Sequence, residues 1–300
     1  MLKVIDLFFH HITDKGRFKP NILTQVETVD YILKHHCNIA RYGDGEFSMM
    51  LKRRENIGFQ KVNEALSAEL LDVFIHPNKN VLVCIPRLFD WKDRIFLNRT
   101  GRRFWSRYLK RQTQDFYDLM RTHSFYGDTE ISRPYIDHLK FGPNRKRSQQ
   151  LFDKVRQLWE GKRVLLLEGE LTRFGVGNTL LDNTTDVGRI LCPATNCWSV
   201  VDEIENTAQK VAQNYDLILM ALGPTATVLA NRFAPKGIWA LDIGHLDIEY
   251  EWFKMGVWRK THVAGKFVNE VREGDEYIPT NENTPAFTLY REQVIARVGI

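Results

Sequence analysis

Short, nearly continuous apolar runs alternate along the chain with longer stretches in which apolar residues recur at helical spacing. This is the pattern of a parallel sheet whose strands are joined by crossover helices. Strands are predicted at 38–42, 81–85, 163–167, 189–192, 216–222 and 238–243. The second, third and fifth are apolar almost throughout, as strands covered on both faces are. Helices are predicted over 25–36, 62–74, 91–120 with a break at Gly101, 148–159, 199–213 and 225–233. The expected fold class is α/β, a Rossmann-like, mostly parallel sheet with flanking helices. The segment 89–144 is longer than a simple crossover and predicts a helical insertion. No repeat, low-complexity tract or linker divides residues 1–300, so one domain is expected. The tail from Asn269 is polar and then weakly strand-like, and receives no place in this scheme.

In such sheets ligands bind beyond the carboxyl ends of the strands, where the chain turns into a helix. The first strand runs directly into Arg41-Tyr42-Gly43-Asp44-Gly45-Glu46. Asp44 and Glu46 supply two hard oxygen ligands at a glycine-permitted turn, the kind Mg²⁺ or Mn²⁺ accepts while keeping positions open for phosphate. The plainer reading makes Asp44 the N-cap of the helix that follows. After the third strand comes a loop with Gly169, Thr172, Arg173, Gly175, Gly177 and Asn178. Its glycines let backbone amides approach a ligand, and its polar side chains offer donors to phosphate or ribose. It matches neither the dinucleotide fingerprint nor the P-loop. Gly223, before Pro224, opens another helix that could face an anion. The sixth strand ends in five ionisable residues, Asp242, His245, Asp247, Glu249 and Glu251, a density suited to a polar cleft. If a helix begins near Asp247, Asp247 and Glu251 lie one turn apart on one face.

Composition adds bounds. With 43% hydrophobic and 12% aromatic residues the chain can bury a full core. A formal charge of +5 gives a mild positive field compatible with anionic ligands, and decides little else. The N-terminal stretch 1–16 lacks the apolar region of a signal peptide, and no run approaches the ~20 residues of a membrane span. A cytoplasmic location is expected. Cys37, Cys84, Cys192 and Cys197 fall mostly in apolar segments, which predicts reduced, buried thiols. Between Arg99 and Arg111 lie six basic residues, no acid, and Phe104, Trp105 and Tyr108. That stretch could hold a sugar acceptor or touch an anionic membrane peripherally, while a solvated amphipathic helix is the plainer reading. No nucleic-acid partner is expected.

The motifs RYGDGEF, EGELTRFGVGN, CPATNCW, ALGPTATVLA and LDIGHLDIEYEWF occur in this order across about 38–253. In that succession the chain resembles the GT-D glycosyltransferases, a family formerly described as a domain of unknown function. The resemblance implies a Rossmann-like domain, a UDP-sugar donor, a divalent metal, Mn²⁺ before Mg²⁺, and transfer of a hexose to a glycan or glycoprotein acceptor. It places the metal on Asp44 and Glu46 and the acid-base work on His245 and Glu251. From the strand-end loops themselves, nucleotide-sugar contacts are expected at Arg41, Gly43, Gly169, Thr172, Arg173, Gly175, Gly177, Asn178 and Gly223. The same parts would also serve a phosphoester or diphosphate hydrolase, or a non-catalytic nucleotide-sugar-binding protein.

Overall fold

The computed structural model describes residues 17–53, 58–140, 143–268, 270–271 and 277–300. The stretch 1–16, on which the expectation about a signal peptide rests, lies outside the described residues, as do 54–57, 141–142, 269 and 272–276. Among the described residues no helix is long and apolar enough to cross a membrane.

One sheet contains β1 (Asn38–Arg41), β2 (Val81–Ile85), β3 (Gly127–Asp128), β4 (Arg163–Gly169), β5 (Asp186–Cys192), β6 (Leu217–Ala221), β7 (Ala240–Asp242) and β8 (Val294–Arg297). Their order is β3-β2-β1-β7-β6-β4-β5-β8 and every pairing is parallel. All six strands expected from apolar runs are present. Alternate side chains of each strand enter different cores, because successive Cβ atoms leave opposite faces of a sheet. In β4, Leu165 and Leu167 join Ala40, Ile218 and Met220 on one face. Val164 and Leu166 join Ile39, Leu219 and Leu241 on the other.

The segment predicted as an insertion is helical in part, with helices Trp91–Arg94, Arg99–Lys110 and Gln114–Leu119. It then returns to the sheet as β3 and the 3₁₀ turn Thr129–Ser132. Gly101 is not the break. It lies inside Arg99–Lys110, where its amide donates to the Asn98 side-chain carbonyl at 2.9 Å, the N-cap bond of that helix. The tail does find a place: helix Pro285–Gln293 leads into β8, which pairs with β5 at the sheet edge. The four cysteines are free and buried.

What this topology positions is the middle of the sheet. β1 leads outward to β2, while β7 arrives from β6 on the opposite side, and the two meet with Ile39 opposite Leu241. Neighbouring strands whose connections run in opposite directions leave a crevice at their carboxyl ends.

Candidate active site

A cleft of about 830 Å³ opens in this crevice, within the usual range for small-ligand sites. Its floor comes from four strand ends. Arg41 ends β1 and Gly43, Asp44 and Glu46 follow it, Gly169 ends β4 and Thr172 follows it, Gly223 follows β6, and Gly244, His245 and Asp247 follow β7. The far flank comes from Thr100, Gly101, Phe104 and Trp105 on helix Arg99–Lys110, and from Thr129, Glu130 and Arg133 after β3. That helix buries Gly101, Trp105 and Leu109 and leaves Phe104 exposed at the cleft.

Tyr42 is buried, and Gly43 turns the chain into helix Asp44–Met50. The N-cap is Gly43, so Asp44 is the first helical residue rather than the cap. Glu46, three residues on from the cap, reaches back so that its Oε2 accepts the Gly43 amide at 2.8 Å. The bond folds the Glu46 side chain back over the start of its own helix, at the end of the cleft where Asp44 also lies. Withdrawal from water pushes the Glu46 carboxyl up, and Asp242 adds to the rise. The Gly43 and Glu46 amides and Arg41 oppose it. Glu46 forms no ion pair among the described residues.

Arg41 is tied to the cleft wall. Its Nε donates to Asp242 Oδ1 at 3.2 Å, and its Nη1 to the Thr129 carbonyl at 3.3 Å and to the Ser132 hydroxyl. Burial pushes the Asp242 carboxyl up against the pull of Arg41. Gly244 has φ +42°, and any Cβ there would run into the Arg41 guanidinium. Gly223, at φ +56°, is likewise covered by the Phe59 ring, which a Cβ would strike. These glycines let the two loops close over the floor.

His245 caps helix Leu246–Met255, and its Nε2 lies 3.0 Å from Glu270 Oε1. Glu270 also receives Arg133 Nη2 at 3.0 Å and Lys260 Nζ. Burial alone would raise this carboxyl, but Arg133 and His245 outweigh burial and hold it well below the ordinary glutamate range. Asp247 lines the cleft with its back to the glycine-rich loop. Its Oδ1 accepts the Gly175 amide and Asn178 Nδ2, each at 2.8 Å, and its Oδ2 accepts Lys266 Nζ at 2.6 Å.

Several expected contacts fall elsewhere. Gly169 and Thr172 line the cleft, whereas Arg173, Gly175, Gly177 and Asn178 do not. Arg173 is buried and turned to the tail, donating to the Gly265 carbonyl at 3.0 Å, the Tyr277 hydroxyl at 2.7 Å and Glu282 at 2.6 Å. The carboxylate and phenol so near it account for its position better than a phosphate would. Gly175 and Asn178 serve Asp247. Glu251 also stands outside the lining, behind Asp247, accepting Asn178 Nδ2 at 2.6 Å and pairing with Lys266 at 3.2 Å. Its committed carboxylate corrects the expectation that it faces an acceptor.

Glu270 and Glu130 are among the cleft residues that sequence reasoning missed. Glu270 lies in the tail that was left without a place. Glu130 is 6% exposed and lines the cleft. Burial pushes its carboxyl up to about 8, opposed by Arg133 and reinforced by Asp128, Asp137 and Glu249. A signal for it existed: Tyr126-Gly127-Asp128-Thr129-Glu130 repeats the pattern of Tyr42-Gly43-Asp44-Gly45-Glu46, the first copy following β1 and the second containing β3 of the same sheet.

The sequence profile of the family described as glycosyltransferase GT-D fold matches residues 39–271, which takes in every strand of the cleft floor. This chain belongs to the GT-D fold glycosyltransferase family. Among relatives of this GT-D chain, a glycosyltransferase named GlyD of Streptococcus pneumoniae serotype 4 is 34% identical over 285 residues, covering 93% of this chain and 33% of the relative. A probable glycosyl transferase, Gly, of Streptococcus gordonii is 36% identical over 251 residues, covering 83% of this chain and 35% of the relative. The chain thus spans about a third of the length of the curated relatives it matches. A solved structure from Streptococcus sanguinis, described as a new glycosyltransferase, superposes with a TM-score of 0.83 at 34% identity, covering 93% of this chain and all of that one. Another, described as having a distinct glycosyltransferase fold, gives 0.82 at 34% identity over 97% of this chain and all of that one.

The GT-D cleft offers a divalent cation two carboxylates, Asp44 and Glu46. Among the described residues no group of three or more His, Cys, Asp or Glu side chains forms a ready cage. Mg²⁺ and Mn²⁺ need none, since such ions are often held by one or two carboxylates together with substrate phosphates and water. Asp44 and Glu46 both line the cleft, and Glu46 is a desolvated carboxylate whose rise a cation would relieve. The donor set fits a hard cation that arrives with a diphosphate.

Proposed function

We propose that this chain transfers a hexose from a UDP-sugar to a glycan acceptor, free or on a glycoprotein, with a divalent metal, Mn²⁺ or secondarily Mg²⁺, in the cytoplasm. The observation that carries the reading is the meeting of Asp44, Glu46 and Arg41 with the Gly169, Thr172 and Gly223 loops in one cleft at the carboxyl ends of β1, β4 and β6. Asp44 and Glu46 would hold the metal, which would supply Lewis-acid stabilisation for a departing diphosphate. Arg41, fixed by Asp242 and the Thr129 carbonyl, adds a preorganised positive charge beside it. Gly169 and Gly223 let their loops pack tightly where the nucleotide would lie, and Thr172 offers a hydroxyl. Phe104 and Trp105 give an apolar flank on which a sugar ring can rest, which suits the acceptor side.

The test is a panel of UDP-sugars assayed for UDP release, with and without Mn²⁺ and glycan acceptors. The reading expects metal-dependent release that an acceptor accelerates, with an extended acceptor as product. Release of free sugar without acceptor dependence would point to hydrolysis. A response to another nucleotide and to no UDP-sugar would overturn the donor assignment.

A further inference from the structure

The carboxylates at the cleft differ in what already holds them. Asp242 has Arg41, Asp247 has Lys266, Glu270 has Arg133, Lys260 and His245, and Glu46 has the Gly43 amide. Glu130 is more than nine-tenths buried and lines the cleft, yet its carboxylate makes no hydrogen bond or ion pair among the described residues. Its backbone, by contrast, is fixed at every point. Asp128 Oδ1 accepts its amide at 2.9 Å, and Gln25 Nε2 donates to its carbonyl at 2.9 Å. Arg41 grips the same turn through the Thr129 carbonyl and the Ser132 hydroxyl. The guanidinium beside the D-x-E pair thus also sets the position of Glu130. In the first Y-G-D-x-E segment the glutamate takes a backbone amide. In the second the aspartate does so, and the glutamate is left to the cleft.

A buried carboxyl without a partner is unfavourable unless a ligand completes it. The group that would do so here is a hydroxyl, because the cleft that Glu130 lines also carries Thr100, Phe104 and Trp105, a polar and apolar surface suited to a sugar. We propose that Glu130 is the general base of the transfer, accepting a hydrogen bond from the acceptor hydroxyl and taking its proton. This rests on the glycosyl-transfer reading above. In the step, the acceptor O–H bond breaks and its proton passes to a Glu130 oxygen. The acceptor oxygen bonds to the anomeric carbon as the bond from that carbon to the diphosphate breaks, its electron pair leaving on UDP. His245 presents Nε2 to Glu270 and acts as a positioning residue of the wall.

The charged groups facing Glu130 are Arg133 from its own turn, Asp128 from β3, Asp137 from the following segment and Glu249 from helix Leu246–Met255. The active form is the carboxylate. With the free carboxyl near 8, kcat/KM rises with pH up to that region and levels above it.

The experiment uses the full chain with a donor and acceptor found in the panel above. It compares wild type, E130Q, E130A and H245N for kcat, for UDP affinity by calorimetry, and for rescue by formate. E130Q is expected to lose about 10²- to 10⁴-fold in kcat, the usual weight of a general base, with UDP affinity unchanged. Formate should restore part of the E130A rate, and should do nothing for wild type or H245N. Turnover by E130Q near the wild-type rate overturns the proposal. So does a loss that comes with lost UDP binding, or a loss in a folded E130A that formate does not repair, since either assigns Glu130 a structural part. Failure of the transfer reading itself is separate, and appears as wild type releasing no UDP from any UDP-sugar.

Discussion

Replacing Glu270 by glutamine tests whether the tail is part of the cleft wall. The carboxylate is 16% exposed and meets three basic groups, Arg133, Lys260 and His245. Glutamine keeps the shape and removes the charge, leaving Arg133 with Asp137 at 3.0 Å and the more distant Glu249 at 3.8 Å. Removing one partner of a buried ion pair costs about 3–5 kcal/mol, and the surviving Asp137 contact puts this case at about 3 kcal/mol. For a chain of 300 residues that is a fall in melting temperature of roughly 5 °C. The pH dependence has a definite sign. The folded Glu270 carboxyl lies well below the ordinary value of 4.5, so its contribution is fully present above that value and is lost as pH falls through the folded one. Urea denaturation of wild type and E270Q should therefore show the same gap at pH 7 and pH 6. Equal midpoints for the two proteins at pH 7 would refute the reasoning.

Other outcomes follow from the same contacts. R173A, which removes the buried guanidinium from Gly265, Tyr277 and Glu282, should lose about 2–3 kcal/mol of stability while UDP affinity stays within about twofold, checked by denaturation and calorimetry. G244A should lower kcat/KM at least about tenfold, because its Cβ displaces Arg41. G177A, also at positive φ but with open space around it, should strain the backbone by about 1–2 kcal/mol and leave kcat/KM close to wild type.

The apolar runs that became β1, β2 and β4 through β7 were legible because a strand covered on both faces has few alternatives. β3 is two residues long and carries no periodicity to detect, and β8 has only an alternating, half-exposed pattern. The floor of the cleft was legible for a related reason, since Asp44, Gly169, Gly223 and His245 all lie at strand ends or within three residues of them. Arg173 looked like a phosphate ligand because its partners Tyr277 and Glu282 lie more than a hundred residues away in sequence. Glu251 belongs to the same helix face as Asp247, and only the position of Lys266 shows that it stands behind the wall. Glu270 reaches the cleft through tertiary contacts of the tail, which local pattern does not report, whereas Glu130 carried a local signal only in its likeness to the Y-G-D-x-E segment after β1.

The central claim is that Asp44 and Glu46 bind a cation together with a nucleotide diphosphate. Calorimetric titration of UDP into wild type, D44N and E46Q, with and without Mn²⁺, tests it most directly. Wild type should bind UDP at least about tenfold more tightly with Mn²⁺, a difference of about 1.4 kcal/mol, and both variants should lose that increment while remaining folded. UDP binding that is indifferent to Mn²⁺ in wild type, or an increment that survives in D44N and E46Q, would contradict the account.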